Sequence, residues 1–135
     1  NVGVHIRRGD INKTVNANRW LELKDYTKMI NHFRTHNNTG KELIFHIFSE
    51  GNKSSFTELA GKDVVLHLNG SDIQEFNKLI STDIIITGLS TFSILGAYLS
   101  DAKIYYNKLR NYTRWSGLDR FTDIEVMFKE KLKIK

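Results

Sequence analysis

Short runs of apolar, mostly β-branched residues recur along this chain of 135 residues, and segments with helical periodicity separate them. Continuous apolar runs of this length are typical of strands that are buried on both faces, as in a parallel sheet. The runs are Val2–Ile6, residues 43–48, Val64–Leu68, Ile84–Thr87 and Lys103–Tyr106. Strands that alternate with helices are joined by right-handed crossovers. The pattern therefore predicts an α/β fold, a doubly wound, Rossmann-like parallel sheet of about five strands with Val2–Ile6 near its centre.

Apolar residues spaced three and four apart predict the helices between these strands. In residues 19–36 this spacing gives one apolar stripe, which consists of Trp20, Leu23, Tyr26, Ile30 and Phe33. Shorter helices are predicted over residues 52–61, 71–81 and 90–100, and Ser71 or Asp72 would be the N-cap of the second of these. A last helix is predicted near the end of the chain, with Thr122 or Asp123 as its N-cap. Because no linker-like segment and no internal repeat interrupts the pattern, we expect a single domain over residues 1–135.

The composition argues against several classes of protein. The chain has no cysteine, which excludes disulfides and thiolate metal sites. It has no apolar run long enough to span a bilayer, and no Asp-x-Asp or His/Glu cluster with metal-ligand spacing. We therefore expect no metal and no membrane span. No basic segment followed by an apolar one precedes the first strand, so we expect a cytoplasmic protein.

The net charge of +5 favours anionic partners without identifying them. The basic residues are spread along the chain, and aromatic residues do not alternate with them as they do in proteins that bind single-stranded nucleic acid. We therefore expect no nucleic-acid partner, although a polyanion binder remains one alternative.

Polar and glycine-rich segments follow the predicted strands; we call them the strand tips. They are residues 7–10, 48–51, 68–72 and 87–93. In open α/β sheets, ligands bind beyond the carboxyl ends of the strands. Two arginines in the first tip, with planar guanidinium donors, and a helix N-terminus in the fourth tip suit a phosphate-bearing ligand. The Gly-rich motifs of P-loop and dinucleotide-binding proteins are absent, as is the Gly-x-Ser-x-Gly nucleophile elbow.

Three segments together resemble one known family. Residues 4–10, VHIRRGD, resemble the His-x-Arg-Arg-Gly-Asp motif of the bacterial-type α-1,2-fucosyltransferases, which are related to the α-1,6- and protein O-fucosyltransferases. Residues 75–104 resemble that family's stretch of an acidic residue, a helix, an apolar strand, SSFS and GA-L. Residues 47–51, IFSEG, are similar to its FSDD. The resemblance covers nearly the whole chain.

The resemblance implies the C-terminal, donor-binding half of a two-domain glycosyltransferase of the B type. It implies a GDP-fucose-dependent, inverting fucosyltransferase that needs no cofactor or metal and whose partners are a sugar nucleotide and a glycan acceptor. We expect the family's N-terminal acceptor domain to be absent from these residues. We therefore expect the chain to bind the donor and to transfer little unless a further domain or a second chain completes the cleft.

The resemblance also implies roles for single residues. Arg7 would stabilise the charge that grows on the β-phosphate, and His5 would lie under the nucleotide. Arg8 would contact the donor, or else hold Asp10 or a neighbouring tip. Glu75 would accept hydrogen bonds from guanine.

The remaining implied contacts come from the other strand tips. The candidates for donor contacts are Ser49, Ser90, Thr91, Phe92 and Ser93. Asp10 and Glu50 are the carboxylates available as a catalytic base, with Asp10 placed among the catalytic residues. A base in the further domain and the β-phosphate itself are the alternatives.

The sequence departs from the family pattern at several of these positions. Glu75 stands where the family has the shorter Asp, STFS replaces SSFS, and FSEG has one carboxylate fewer than FSDD. Ile94 and Leu95 replace an aromatic pair. These departures leave open a second interpretation, a module that binds a nucleotide or sugar nucleotide and turns nothing over.

Overall fold

The structure, a computed structural model, describes residues 1–106 and 121–123. Its strands are β1 Val2–Ile6, β2 Phe45–Ser49, β3 Val64–Leu68, β4 Ile84–Thr87, β5 Lys103–Tyr106 and β6 Phe121–Asp123. Its α-helices are α1 Leu23–His36, α2 Asp72–Ile80 and α3 Thr91–Leu99, and two 3₁₀ segments lie at Ala17–Arg19 and Lys53–Leu59. All strand pairs are parallel, and the sheet order is β3-β2-β1-β4-β5-β6.

This arrangement confirms the predicted α/β, doubly wound parallel sheet, with β1 in its interior. Thr122 and Asp123 both lie in β6, where Thr122 pairs with Tyr105. The prediction that Thr122 caps a last helix was wrong, because the strand continues through Asp123. The physical reason is that β6 satisfies the backbone groups of β5, and that Phe121 packs against Tyr98 with ring centroids 5.2 Å apart. A helix capped by Asp123 would begin at residue 124, and that part of the prediction lies outside the described residues.

Alternating residues of β1 point to the two faces of the sheet, and each face carries its own apolar cluster. Val2, Val4 and Ile6 are buried with the apolar stripe of α1. On the other face α2 and α3 cover the sheet, through the fully buried Leu79 and Ala97. Full burial of a side chain as large as Leu79 contributes roughly 1.5–3 kcal/mol. β1 is thus packed on both faces, and the residues at its carboxyl end extend from a buried strand.

Helix α2 begins where the sequence predicted. Ser71, rather than Asp72, is its N-cap, and the Ser71 hydroxyl accepts a hydrogen bond from the Gln74 N–H at 3.4 Å. Because this cap follows the β3 tip directly, the first turn of α2 lies at the carboxyl edge of the sheet.

The opposite, amino edge of the sheet has its own ion pair. Arg34 donates to both carboxylate oxygens of Asp63, which immediately precedes β3, with both distances 2.7 Å. This contact holds the pKa of Asp63 below its ordinary value. Within the described part of the chain, no helix has the length and apolar character needed to cross a bilayer.

Candidate functional site

A cavity of about 580 Å³ lies at the carboxyl edge of the sheet, between the strand tips and the N-termini of α2 and α3. It brings together most of the predicted site residues: His5, Arg7, Arg8, Asp10, Ser49, Glu50, Glu75, Ser90, Thr91 and Phe92. Ser93 is not among the residues that line it. The convergence follows from the topology, because parallel strands end at one edge and their tips are neighbours in space.

Arg7 lies in the wall of this cavity and is bound to Asp10. The Arg7 Nε donates to Asp10 Oδ1 at 3.1 Å, and Nη2 donates to Oδ2. This hydrogen bond is the main reason that the pKa of Asp10 lies below its ordinary value. Gly9 makes the pair possible, because its φ of +82° turns the chain back, and the Asp10 N–H donates to the Arg8 carbonyl at 3.1 Å. Asp10 is thus held by Arg7 and not by Arg8, the partner that the sequence had suggested.

Arg8 connects the β1 tip to the segment that precedes α1. Its Nη1 donates to the Arg7 carbonyl at 2.8 Å and its Nη2 donates to the Leu21 carbonyl at 2.9 Å. Its guanidinium lies 3.7 Å from the centroid of the Trp20 ring, a cation–π contact. Burial lowers the Arg8 pKa from its ordinary value. These contacts fix the backbone of Arg7 and therefore the direction in which the Arg7 side chain leaves β1.

His5 forms part of the floor of the cavity. Its ring centroid lies 5.1 Å from that of Phe92, the second residue of α3. Burial, reinforced by the positive charge of Arg7, lowers the His5 pKa to about 4. Nδ1 is buried and has no hydrogen-bond partner among the described residues. The imidazole is therefore neutral at neutral pH and offers one donor and one acceptor without a charge.

Glu75 forms another part of the wall, from the first turn of α2. Its side chain is 13% exposed, and Lys78 Nζ lies 3.4 Å from Oε1. Oε2 is buried and accepts no hydrogen bond from any described residue. A buried carboxylate oxygen without a donor is costly, so a ligand that supplies an N–H group here is favoured.

The N-terminus of α3 closes the cavity on the side of β4. Ser90 is the N-cap and makes no side-chain cap hydrogen bond, and Thr91 is exposed. Ser93, in contrast, is fully buried, and its hydroxyl donates to the Ser90 carbonyl at 3.1 Å. The first backbone N–H groups of a helix lack intrahelical acceptors and carry the positive end of the helix dipole. This side of the cavity therefore favours an anion.

The sequence model of glycosyl transferase family 11 matches residues 1–128 of the chain. The chain belongs to glycosyl transferase family 11. This is the α-1,2-fucosyltransferase family, so the resemblance inferred from the three segments is confirmed. No curated protein and no solved structure matches the chain significantly.

In this family 11 member, the second strand tip mainly holds neighbouring backbone in place and offers few free hydrogen-bond donors to a ligand. The Ser49 hydroxyl donates to the Ile6 carbonyl at 2.7 Å, which ties β2 to the end of β1. Glu50 lies exposed at the rim, with its carboxylate against Gly9, where a Cβ on Gly9 would come within 1.5 Å of Glu50 Oε2. A glycine at position 9 thus allows both the turn to Asp10 and the close approach of the Glu50 carboxylate.

The sequence placed the third strand tip at this edge of the sheet, but Asn69, Gly70 and Asp72, which lie in the cavity wall, were not among the predicted site residues. Asn69 accepts from the Gly51 N–H at 2.9 Å and donates to the Gly51 carbonyl at 3.0 Å, which joins the second and third tips. Asn69 has a φ of +56°. The signal that could have found it is Asn-Gly after an apolar strand, since Asn tolerates the left-handed region better than most residues.

Proposed function

We propose that this family 11 chain is the donor-binding part of an inverting, GDP-fucose-dependent fucosyltransferase. One observation carries the proposal: Arg7, the N-terminus of α3 and the Glu75 carboxylate line a single cavity at the carboxyl edge of the sheet. A nucleoside diphosphate sugar has an anionic diphosphate and a base with hydrogen-bond donors. The cavity offers cationic and dipolar groups for the first and an unsatisfied carboxylate oxygen for the second.

The diphosphate would lie between Arg7 and the first turn of α3. Arginine matches phosphate oxygens with a planar set of donors, and charge-assisted hydrogen bonds of this kind are the strong ones. As the sugar leaves, negative charge grows on the β-phosphate oxygen. Donors that are already fixed in place stabilise this charge, and the Arg8 contacts with Arg7 and Leu21 keep the β1 tip fixed.

The guanine base would lie against Glu75. Guanine presents two neighbouring donors, N1–H and the N2 amino group, on one edge, and a carboxylate can accept both. Adenine has no N–H at N1 and no amino group at C2, so it would leave Oε2 without a donor. His5, neutral and beneath the cavity, would supply an uncharged donor or acceptor to the nucleotide.

In the transfer step, the acceptor hydroxyl oxygen would form a bond to the anomeric carbon of fucose while the bond to the β-phosphate oxygen breaks. The hydroxyl proton would pass to a carboxylate. Arg7 holds the pKa of Asp10 low, so Asp10 stays ionised and is a weak base. We assign Asp10 chiefly to the orientation of Arg7, and Glu50 at the rim is a second carboxylate that could accept the proton.

The acceptor glycan would approach from the open side of this cavity. Catalysis needs the acceptor hydroxyl to lie within about 3–3.5 Å of the anomeric carbon, with water excluded. A further domain or a second chain would supply the opposite wall.

Calorimetric titration tests the proposed donor. GDP and GDP-fucose should bind, and ADP should bind at least tenfold more weakly, because it leaves the Glu75 oxygen without a donor. Glu75→Gln, which replaces one acceptor oxygen by a donor amide, should remove the difference between GDP and ADP. Equal affinity of the unaltered protein for GDP and ADP would refute the role of Glu75 and, with it, the choice of GDP-fucose. Transfer of labelled fucose to a panel of galactosides then tests the reaction itself.

A further inference from the structure

Gly70 joins the end of β3 to the N-cap of α2, and the space beside its Cα is filled by another side chain. A Cβ placed on Gly70 would lie 2.2 Å from Glu75 Oε1, 2.7 Å from Cδ and 2.8 Å from Cγ. Real Cβ atoms essentially never come within 3.0 Å of another heavy atom in this way. The Glu75 carboxylate therefore lies in the volume that any side chain at position 70 would need.

The backbone conformation does not explain the glycine at this position. Gly9, Gly40 and Gly51 have positive φ values, which disfavour other residues, whereas Gly70 does not. The φ of Gly70 therefore does not require a glycine. The reason for a glycine here is thus the close approach of Glu75.

The neighbour that would have to move is the far end of one side chain, and not a piece of backbone. Helix α2 is fixed separately, by the Ser71 cap and by Leu79, which is fully buried against the sheet. A side chain at position 70 would therefore displace the Glu75 carboxylate and leave α2 in place. The expected consequence is a change in recognition with little change in fold.

We propose that Gly70 is a positioning residue that selects the nucleobase. Because Gly70 has no side chain, the Glu75 carboxylate can lie against the β3 tip, at the wall where the base binds. This inference rests on the proposed function, because it assumes that a nucleotide occupies the cavity. It adds a specificity determinant that does not itself contact the base through a side chain.

The test is a double-mutant cycle with Gly70→Ala and Glu75→Asp, measured by calorimetric titration with GDP, ADP, UDP, CDP and inorganic pyrophosphate. Gly70→Ala should weaken binding of the preferred nucleotide at least tenfold and change the affinity for pyrophosphate less than twofold. Glu75→Asp alone should also weaken nucleotide binding, because the carboxylate retreats by one methylene. In the Gly70→Ala background the same substitution should strengthen binding at least fivefold, because the shorter side chain leaves room for the new methyl group. This reversal of sign is the signature of the pair.

Gly61→Ala is the matched control. A Cβ on Gly61 would lie 2.7 Å from Asp63 Oδ1 and 3.0 Å from Arg34 Nη2, so it also meets a charged pair, but at the amino edge of the sheet. It should leave nucleotide affinity unchanged, and circular dichroism should show that all variants are folded.

Three results would overturn the inference: full nucleotide affinity in Gly70→Ala, an equal loss for nucleotide and pyrophosphate, or no recovery in the double variant. If the unaltered protein prefers a base other than guanine, the proposed donor fails, and the cycle is then measured with the preferred nucleotide. If no nucleotide binds, both proposals are refuted.

Discussion

Replacement of His5 should make the protein more tolerant of mild acid. The His5 pKa falls from 6.5 to about 4 in the folded chain, and one pKa unit corresponds to about 1.4 kcal/mol. Between pH 6.5 and pH 4 the unfolded chain binds a proton that the folded chain excludes. The free energy of unfolding therefore rises with pH in this window and is lost as pH falls. The full difference is about 3 kcal/mol, of which about 2 kcal/mol is lost between pH 7.5 and pH 5.

Urea denaturation followed by circular dichroism at pH 7.5, 6 and 5 measures this loss. His5→Phe keeps a ring against Phe92 and removes the titrating group, and His5→Gln serves as a second variant in case the Phe ring packs poorly. Each variant should lose about 2 kcal/mol less stability than the unaltered protein over this range. Burial also lowers the pKa values of His46 and His67, but all these proteins share them, so they cancel in the comparison. The same loss with and without His5 would show that this imidazole is not held neutral beneath the cavity.

The remaining predictions concern Arg7 and the packing beneath it. Arg7→Ala should weaken GDP binding by roughly 1.5–3 kcal/mol, about 10- to 150-fold in Kd, because a charge-assisted hydrogen bond is lost. Arg34→Ala, which breaks the ion pair with Asp63 at the amino edge of the sheet, should not change the Kd for GDP. If both variants bind GDP equally well, Arg7 does not contact the nucleotide. Arg7→Lys should recover little of the affinity measured in the same titration, because a point charge cannot replace the planar donors; full recovery would contradict paired contacts with phosphate. Gly3→Ala should lower the free energy of unfolding, measured in urea, by about 1–3 kcal/mol. The reason is that its Cβ would lie 2.8 Å from both Leu79 Cδ1 and Thr82 Oγ1. An unchanged midpoint of urea denaturation would show that α2 can shift on β1 without loss of stability.

Most of the fold could be predicted because its strands are more apolar and richer in β-branched residues than the segments between them. Runs such as Ile84–Thr87, buried at every residue, have few alternatives to a central parallel strand. The strand Phe121–Asp123 could not be predicted in this way. It is three residues long and mostly polar, and only its pairing with β5 identifies it as a strand.

The candidate site could be predicted as a set of residues and not as a set of contacts. Topology alone brings the first, second and fourth strand tips together, which is why Arg7, Ser49 and Thr91 line one cavity. Their partners depend on local backbone angles and on close packing. The Arg7–Asp10 pair needs the left-handed turn at Gly9, and the packing of Glu75 against Gly70 is visible only in three dimensions.

The interior position of β1 affects the order in which the sheet can form during synthesis. β1 is the first strand in the chain, yet it pairs with β2 on one side and with β4 on the other. Pairings between segments far apart in sequence close long loops and form slowly. During synthesis, β1 can pair with β2 early, and β2 with β3, but the other edge of β1 stays open until residues 84–87 have emerged from the ribosome. The cavity lies across the β1–β4 pairing, since Arg7 and Glu75 belong to segments made before β4 and the N-terminus of α3 follows β4. The two halves therefore share a ligand site only once β4 has paired with β1, and a nucleotide that binds both halves would stabilise that pairing.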